Sequence, residues 1–137
     1  MKGIIEKAFI QAIQDTLEKT PTRCNDKLLR GYISSIDLIF GDDTKGTVTF
    51  VSSKEFLNIL SFGLFGEHAK DDLTLQDLSQ ELANLTIGLS KVIAIKEEKS
   101  FNINTPRVFG YGEFQDKQYN HLNFTLEGAP CSLFLHR

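Results

Sequence analysis

The longest regular pattern in the sequence runs from Asp72 to about Lys96 and predicts one long central helix. At about 100° per residue, six apolar side chains fall within one arc of this helix: Leu75, Leu78, Leu82, Leu85, Leu89 and Val92. Thr74 can cap the start of the helix, with Asp77 as the reciprocal partner in a capping box. The apolar arc must face the core, so its burial fixes the rotation of the helix.

A polar stripe lies about a quarter of a turn away from the leucines on the same helix. It consists of Asp77, Glu81, Asn84, Gly88 and Lys91, which are spaced four, three, four and three residues apart. Side chains at this spacing can all meet one partner. Gly88 is unusual in the stripe, because glycine inside an exposed helix costs about 1 kcal/mol relative to alanine. Close approach by another backbone would explain this glycine.

The segments before the central helix predict a helix followed by a β-hairpin. Apolar residues at helical spacing over Ile5–Leu17 predict an amphipathic helix, which ends before Pro21. Alternation over Ser35–Phe40 predicts a strand, the turn residues over Gly41–Gly46 reverse the chain, and Thr47–Val51 returns as a second strand.

A short helix is predicted to follow this hairpin. Ser52 and Glu55 form a capping box, and an apolar run continues from Phe56 until Gly63 and Gly66 interrupt it. Three large apolar residues near those glycines are expected to pack in the core, although an exposed share could serve subunit contact: Phe62, Leu64 and Phe65.

The segments after the central helix predict further strands. Pro106 introduces a strand through Phe109, and Gly110–Gly112 is interpreted as a bend in it. Apolar and polar residues alternate over Leu122–Leu126, before a turn at Glu127–Pro130. Leu133 and Leu135 belong to a last strand, either at an edge or paired on both sides. The whole pattern predicts a single domain over 1–137. Its class is α+β, with a largely antiparallel sheet packed with a long central helix and an N-terminal helix.

Charge and cysteine content argue against several functional classes. The 15 basic and 18 acidic residues give a formal charge of -3, without the basic excess expected for nucleic-acid binding. The N-terminal segment lacks the apolar core of a signal peptide and nothing else is long enough to span a membrane, so a cytoplasmic protein is expected. Cys24 and Cys131 fit free thiols in a reducing compartment, although a disulfide is possible. His68, His121 and His136 are scattered, so no metal site is predicted.

The segment Asp77–Gly88, with the sequence Asp-Leu-Ser-Gln-Glu-Leu-Ala-Asn-Leu-Thr-Ile-Gly, resembles the signature of the CheC/CheX/FliY chemotaxis phosphatases. In that family an acidic residue or Ser, then Glu, then Asn lie on one helix, with a proline further along the chain. Other segments agree in order: the Gly41–Gly46 hairpin, Leu64–Glu67 before the helix and Phe101–Pro106 after it. A single Glu-x-x-Asn helix, rather than two, makes the chain resemble CheX more than CheC.

The resemblance implies a protein phosphatase that hydrolyses the phosphoaspartate of a CheY-like response regulator. Its catalytic residues would be Glu81, which pairs with a lysine of the regulator, and Asn84, which positions the attacking water. The protein would need no cofactor of its own, because magnesium is expected in the active site of the partner.

The resemblance also assigns supporting roles and an assembly. Partner-binding roles fall to Asp77, Gly88 and Lys91, and a structural role to Pro106. A homodimer formed through paired sheets is expected, with the strand Cys131–His136 or the residues near Tyr111 supplying the edge.

Two alternatives use the same residues without catalysis. The helix could be a docking module for a receiver domain or a flagellar-switch component. The polar stripe could also be only a solvated helix face, as most such faces are.

Overall fold

The computed structural model describes residues 1–117 and 119–136. Within these residues the chain forms three helices and a seven-stranded antiparallel sheet. In chain order the elements are α1 (Lys2–Leu17), β1 (Thr22–Arg23), β2 (Arg30–Phe40), β3 (Lys45–Ser52), α2 (Lys54–Phe65), α3 (Asp72–Lys96), β4 (Phe101–Ile103), β5 (Arg107–Glu113), β6 (Asn120–Leu126) and β7 (Ala129–His136). The predicted α+β class, with a long helix and an N-terminal helix packed on an antiparallel sheet, is confirmed.

The sheet is organised around β2, its longest strand. The strand order is β1-β6-β7-β3-β2-β4, and β5 also pairs with β2. The first half of β2 pairs with β5 and its last three residues pair with β4, so these two short strands share one edge of the sheet. β7 lies between β6 and β3 and uses both of its hydrogen-bonding sides. The expectation that Cys131–His136 supplies a free edge is therefore wrong, whereas Tyr111 does lie on an edge strand.

All three helices cover the same face of the sheet and enclose the main core. Aromatic rings join its layers: Phe9 of α1 stacks on Phe124 of β6 at 4.5 Å between ring centroids and lies 6.0 Å from Phe56 of α2. The other face of the sheet carries a small cluster that the segments before β2 and after β5 partly cover. It consists of Ile33, Val51 and Phe134, packed against Leu28, Phe114 and Tyr119.

The start of α2 differs from the prediction by one residue. Ser53 is the N-cap and accepts a hydrogen bond from the backbone N–H of Phe56 at 3.0 Å. Ser52 cannot cap the helix, because it is the last residue of β3 and pairs with Tyr32 and Cys131 in the sheet. The predicted box of Ser52 and Glu55 is therefore wrong.

Gly63 does not interrupt α2, which continues to Phe65 and ends at Gly66 in the left-handed conformation. A Cβ atom on Gly63 would lie 1.8 Å from Cδ2 of Leu17, so this glycine lets α1 and α2 approach each other closely.

The core placement expected for Phe62, Leu64 and Phe65 is wrong. Their side chains are 56%, 37% and 64% exposed. The reason is that α2 buries a different set of residues, namely Phe56, Leu57, Leu60 and Ser61.

The bend predicted at Gly110–Gly112 is confirmed as a β-bulge. The pairing of β5 with β2 shifts register between Ile33 and Ser34, and Gly110 has a φ of 77°. This conformation suits glycine, which lacks the Cβ that disfavours positive φ.

Candidate functional site on helix α3

The first turn of α3 is capped by Asp71, whose side chain accepts a hydrogen bond from the backbone N–H of Thr74 at 2.8 Å. The predicted capping box of Thr74 and Asp77 is therefore wrong, because the helix begins two residues before Thr74. Asp77 has no capping role, and its side chain is exposed.

A hydrogen-bond clamp ties the same turn to the sheet. The Tyr32 hydroxyl donates to Oδ1 of Asp72 at 2.6 Å, and the Gln76 amide donates to Oδ2 of Asp72 at 2.6 Å. Burial, together with the bond to Asp72, raises the pKa of Tyr32 to about 12. The bond from Tyr32, followed by that from Gln76, lowers the pKa of Asp72. One turn further on, Ser34 donates to the carbonyl of Ser79 at 3.0 Å, so β2 holds α3 at two points.

The buried face of α3 agrees with the prediction only in its first half. Leu75, Leu78 and Leu82 are buried, but Leu85 and Leu89 are only partly buried and Val92 is 49% exposed. Ile87 and five small side chains are buried in their place: Ser79, Ala83, Thr86, Ser90 and Ala94. Because α1 packs against α3, these small side chains allow the two helices to approach closely.

The polar stripe lies on the outer side of α3. Asp77, Glu81, Asn84 and Gly88 are exposed, and Lys91 is partly buried. Within residues 1–117 and 119–136, the side chains of Asp77, Glu81 and Asn84 form no hydrogen bond or ion pair. An amide and a carboxylate three residues apart on a helix lie about 5–6 Å apart at their Cβ atoms, so both can reach one small target.

Gly88 has open space beside it. A Cβ atom on this residue would meet no atom of the described chain within 4 Å. The close approach expected at this glycine is therefore not made by the chain's own described backbone, and the space is free for another molecule.

A groove beside the stripe joins α2 to α3. Its volume is about 310 Å³, and it is lined by Leu64, Phe65, Thr74, Asp77, Leu78 and Glu81. Sequence reasoning missed this groove because it placed Leu64 and Phe65 in the core. The helical period of α2 carried a usable signal, since at about 100° per residue Phe65 points well away from Phe56 and Leu60.

The fold was compared with known proteins. No protein-family model matches the sequence, and no curated protein matches it. Solved structures do match. The chemotaxis protein CheX from Vibrio vulnificus has a TM-score of 0.83 at 13% identity, over 98% of this chain and 93% of that one. A CheC-like superfamily protein from Shewanella sp. PV-4 has a TM-score of 0.81 at 16% identity, over 98% and 95%.

A third match is the CheX–CheY–BeF3–Mg²⁺ complex from Borrelia burgdorferi, with a TM-score of 0.74 at 18% identity, over 98% of this chain and 96% of that one. The chain has the CheC/CheX fold. At these identities the likeness concerns the path of the backbone, and the roles of individual side chains depend on the geometry of this chain.

Pro106 lies partly buried immediately before β5 of the CheC/CheX fold. The residue that follows it, Arg107, donates to Oδ1 of Asp37 in β2 at 2.8 Å. Pro106 therefore stands where the edge strand joins the sheet, on a different element from the polar stripe.

A large cavity of the CheC/CheX fold in this chain lies on the sheet face opposite α3. It measures about 570 Å³, and Ile33, Ser35 and Phe134 contribute to its lining. Its serine and threonine hydroxyl groups are already engaged, because Ser35 and Thr49 bond each other at 2.7 Å and Thr47 donates to Asp37 at 2.8 Å. Glu81 and Asn84 do not line this cavity.

Other reactive groups stand apart from α3. In the part of the chain that the structure describes, no three His, Cys, Asp or Glu side chains are grouped as a metal site, and no helix is long and apolar enough to cross a membrane. Cys24 and Cys131 are both free thiols, and burial raises the pKa of Cys131 to about 12. A thiol with so high a pKa is a poor nucleophile near neutral pH.

Proposed function

We propose that this chain is a CheX-like phosphatase that hydrolyses the phosphoaspartate of a CheY-like receiver domain. The observation that carries the proposal is the pair Glu81 and Asn84, which α3 holds exposed on one face and without partners among the described residues. The fold supports it, since a CheX of the same fold was crystallised with CheY, BeF3 and Mg²⁺.

Asn84 would position the attacking water. Its amide both donates and accepts hydrogen bonds and does not titrate, so it can orient a water in line with phosphorus without changing charge. Phosphoryl transfer relies mainly on positioning and on stabilising the charge of the transition state. An amide that holds the water would therefore supply the positioning on which this reaction depends.

Glu81 would orient the complex. One helical turn from Asn84, its carboxylate can pair with a lysine beside the phosphoaspartate of the receiver. Neither Glu81 nor Asn84 needs to act as a base, and the mechanism requires no metal ion bound to this chain. The magnesium ion belongs to the receiver in this mechanism, where it stabilises the charge on the phosphoryl group.

The test compares Asn84→Ala with the wild-type protein on a phosphorylated CheY-like receiver domain. We expect the variant to lose the acceleration of phosphate release by on the order of a hundredfold, because the water is no longer positioned. Its unfolding free energy should stay within about 0.5 kcal/mol of wild type, since the side chain is exposed and unbonded. Single-turnover phosphate release and urea unfolding measure the two quantities.

Asn25→Ala is the matched control, because Asn25 is also exposed but lies in the loop between β1 and β2. Full phosphatase activity of Asn84→Ala would contradict the proposed mechanism. Binding that depends on Glu81 without any acceleration by the wild-type protein would instead identify a non-catalytic docking module.

A further inference from the structure

The polar stripe of α3 continues into exposed apolar residues at both ends. Leu73 is 70% exposed and Ile95 is 59% exposed. At about 100° per residue, Leu73, Ile95 and the five residues of the stripe between them all fall within about 80° of arc around the helix. The complete face is about 33 Å long, at about 1.5 Å per residue. An apolar side chain therefore extends the polar stripe at each of its ends.

The N-terminal end of this face carries the larger apolar surface. Leu64 and Phe65 line the groove together with Asp77 and Glu81, and Leu73 lies one turn before Asp77 on α3. α2 buries Phe56, Leu57 and Leu60, but it leaves Leu64 37% exposed and Phe65 64% exposed. Exposed apolar groups concentrated beside polar ones are typical of protein interaction sites.

The negative charge at the rim of the groove indicates which kind of side chain can bind there. Asp77 and Glu81 contribute two carboxylates to the lining, and neither has a counter-ion among the described residues. A partner surface that fits this groove therefore presents an apolar or aromatic side chain next to a basic one.

We propose that Leu64, Phe65 and Leu73 form an anchor site for the receiver domain. The anchor seats an apolar side chain of the receiver, while a basic side chain beside it faces Asp77 and Glu81. This inference rests on the proposed function and adds a surface that contributes affinity to the complex. Leu73 lies eleven positions, about 16 Å, before Asn84 along the helix, so the anchor contacts the receiver away from the point where the phosphoaspartate meets the amide.

An anchor away from the reacting groups affects affinity and turnover differently. Truncating it weakens the complex, because a buried aromatic or aliphatic group at the interface is lost. Once the complex is saturated, Asn84 and the water are arranged as before, so the rate of hydrolysis is unchanged. Asn84→Ala has the reverse effect, with lost hydrolysis and nearly unchanged affinity.

The experiment uses Phe65→Ser and Leu73→Ser, with the receiver domain of a CheY-like regulator carrying beryllofluoride and Mg²⁺ as the probe. Fluorescence anisotropy should show each variant binding about tenfold more weakly than wild type. Single-turnover hydrolysis of the phosphorylated receiver at saturating protein should match the wild-type rate. Phe62→Ser is the matched control, since Phe62 lies on the same helix at 56% exposure but lines a different groove with Leu17 and Lys19. It should bind within about twofold of wild type.

Wild-type affinity in both anchor variants would overturn the proposal. The proposal would also be overturned if sedimentation showed that the anchor variants lose self-association while their affinity for the receiver is unchanged. The groove would then seat a second copy of this chain. If wild type binds the receiver through Phe65 without accelerating hydrolysis, the proposed phosphatase activity fails and the anchor stands. If wild type hydrolyses the phosphoaspartate and Phe65→Ser binds equally well, the anchor fails alone. If wild type binds no receiver domain, both fail.

Discussion

The two faces of α3 differ in almost every physical respect, although they belong to one helix. The inner face is packed under α1 and the sheet, and β2 holds it through hydrogen bonds at Asp72 and Ser79. On the outer face, the side chains of Asp77, Glu81 and Asn84 have no bonding partner in the part of the chain that the structure describes, and no described atom fills the space beside Gly88. The inner face therefore determines stability and orientation, while the outer face is free to be specified by a partner.

This separation has a consequence for mutation. Changes on the inner face should unfold or loosen the protein, and changes on the outer face should alter partner recognition at nearly constant stability. Neighbouring positions in the sequence, such as Glu81 and Leu82, should then behave in opposite ways.

The largest effect is expected from Leu82→Ala on the inner face. Leu82 is fully buried in the core, so the truncation removes packing and leaves a cavity. The unfolding free energy should fall by about 2–5 kcal/mol, measured from urea unfolding curves. Glu81→Ala is the adjacent control and should change it by less than about 0.5 kcal/mol. A similar loss in both variants would show that the two faces are not energetically separate.

The extent to which the sequence predicts this arrangement depends on how strongly each segment is patterned. α1, the hairpin of β2 and β3, the hairpin of β6 and β7, and the limits of α3 follow from periodicity and turn residues, and they are confirmed. β4 is missed, because its three residues pair only with the end of β2 and carry no alternation of their own. β1 is missed for the same reason, since it has two residues.

The buried face of α3 shows why hydrophobicity alone is a limited guide. Close packing of two helices favours small residues, so Ala83 and Ser90 are fully buried while the larger Val92 is half exposed.

The two wrongly predicted N-caps have a different cause. At both helix starts, a second polar residue suitable for capping stands next to or near the true N-cap. Within the candidate site, the exposure of Glu81 and Asn84 follows from the leucines beside them. The groove depends on how α2 ends against α3, and the helical period of α2 signals only that Phe65 points away from the core.

A smaller, pH-dependent effect is expected on the inner face of α3, at the bond between Tyr32 and Asp72. Because that bond lowers the pKa of Asp72, it contributes stability above the ordinary pKa of aspartate, which is lost as the pH falls through the folded pKa. The pKa of Tyr32 is raised to about 12, so its contribution is present below about pH 10 and is lost as the pH rises towards 12.

Tyr32→Phe removes both contributions. The wild-type protein should therefore exceed the variant in unfolding free energy most clearly near neutral pH, and the difference should shrink below about pH 4 and above about pH 10. Urea unfolding of both proteins at a series of pH values from about 3 to 11 measures this difference in unfolding free energy. Tyr111→Phe is the control, since Tyr111 contacts the Tyr32 ring at 5.3 Å but is itself exposed. A pH-independent difference for Tyr32→Phe would contradict the role of the Asp72 carboxylate.

A small change in stability is expected from Gly88→Ala on the outer face, and its sign is opposite to that of Leu82→Ala. An alanine Cβ meets no described atom within 4 Å, and alanine favours the helix over glycine by about 1 kcal/mol, so the variant should be more stable by about that amount. Its affinity for the beryllofluoride-bound receiver should nevertheless fall, because the added methyl group occupies the space that the docked partner needs. Urea unfolding and anisotropy titration of the same preparation test both expectations. A variant that gains stability and keeps full affinity would show that the partner does not approach α3 at Gly88, and it would limit the docking face to the turns from Leu73 to Asn84.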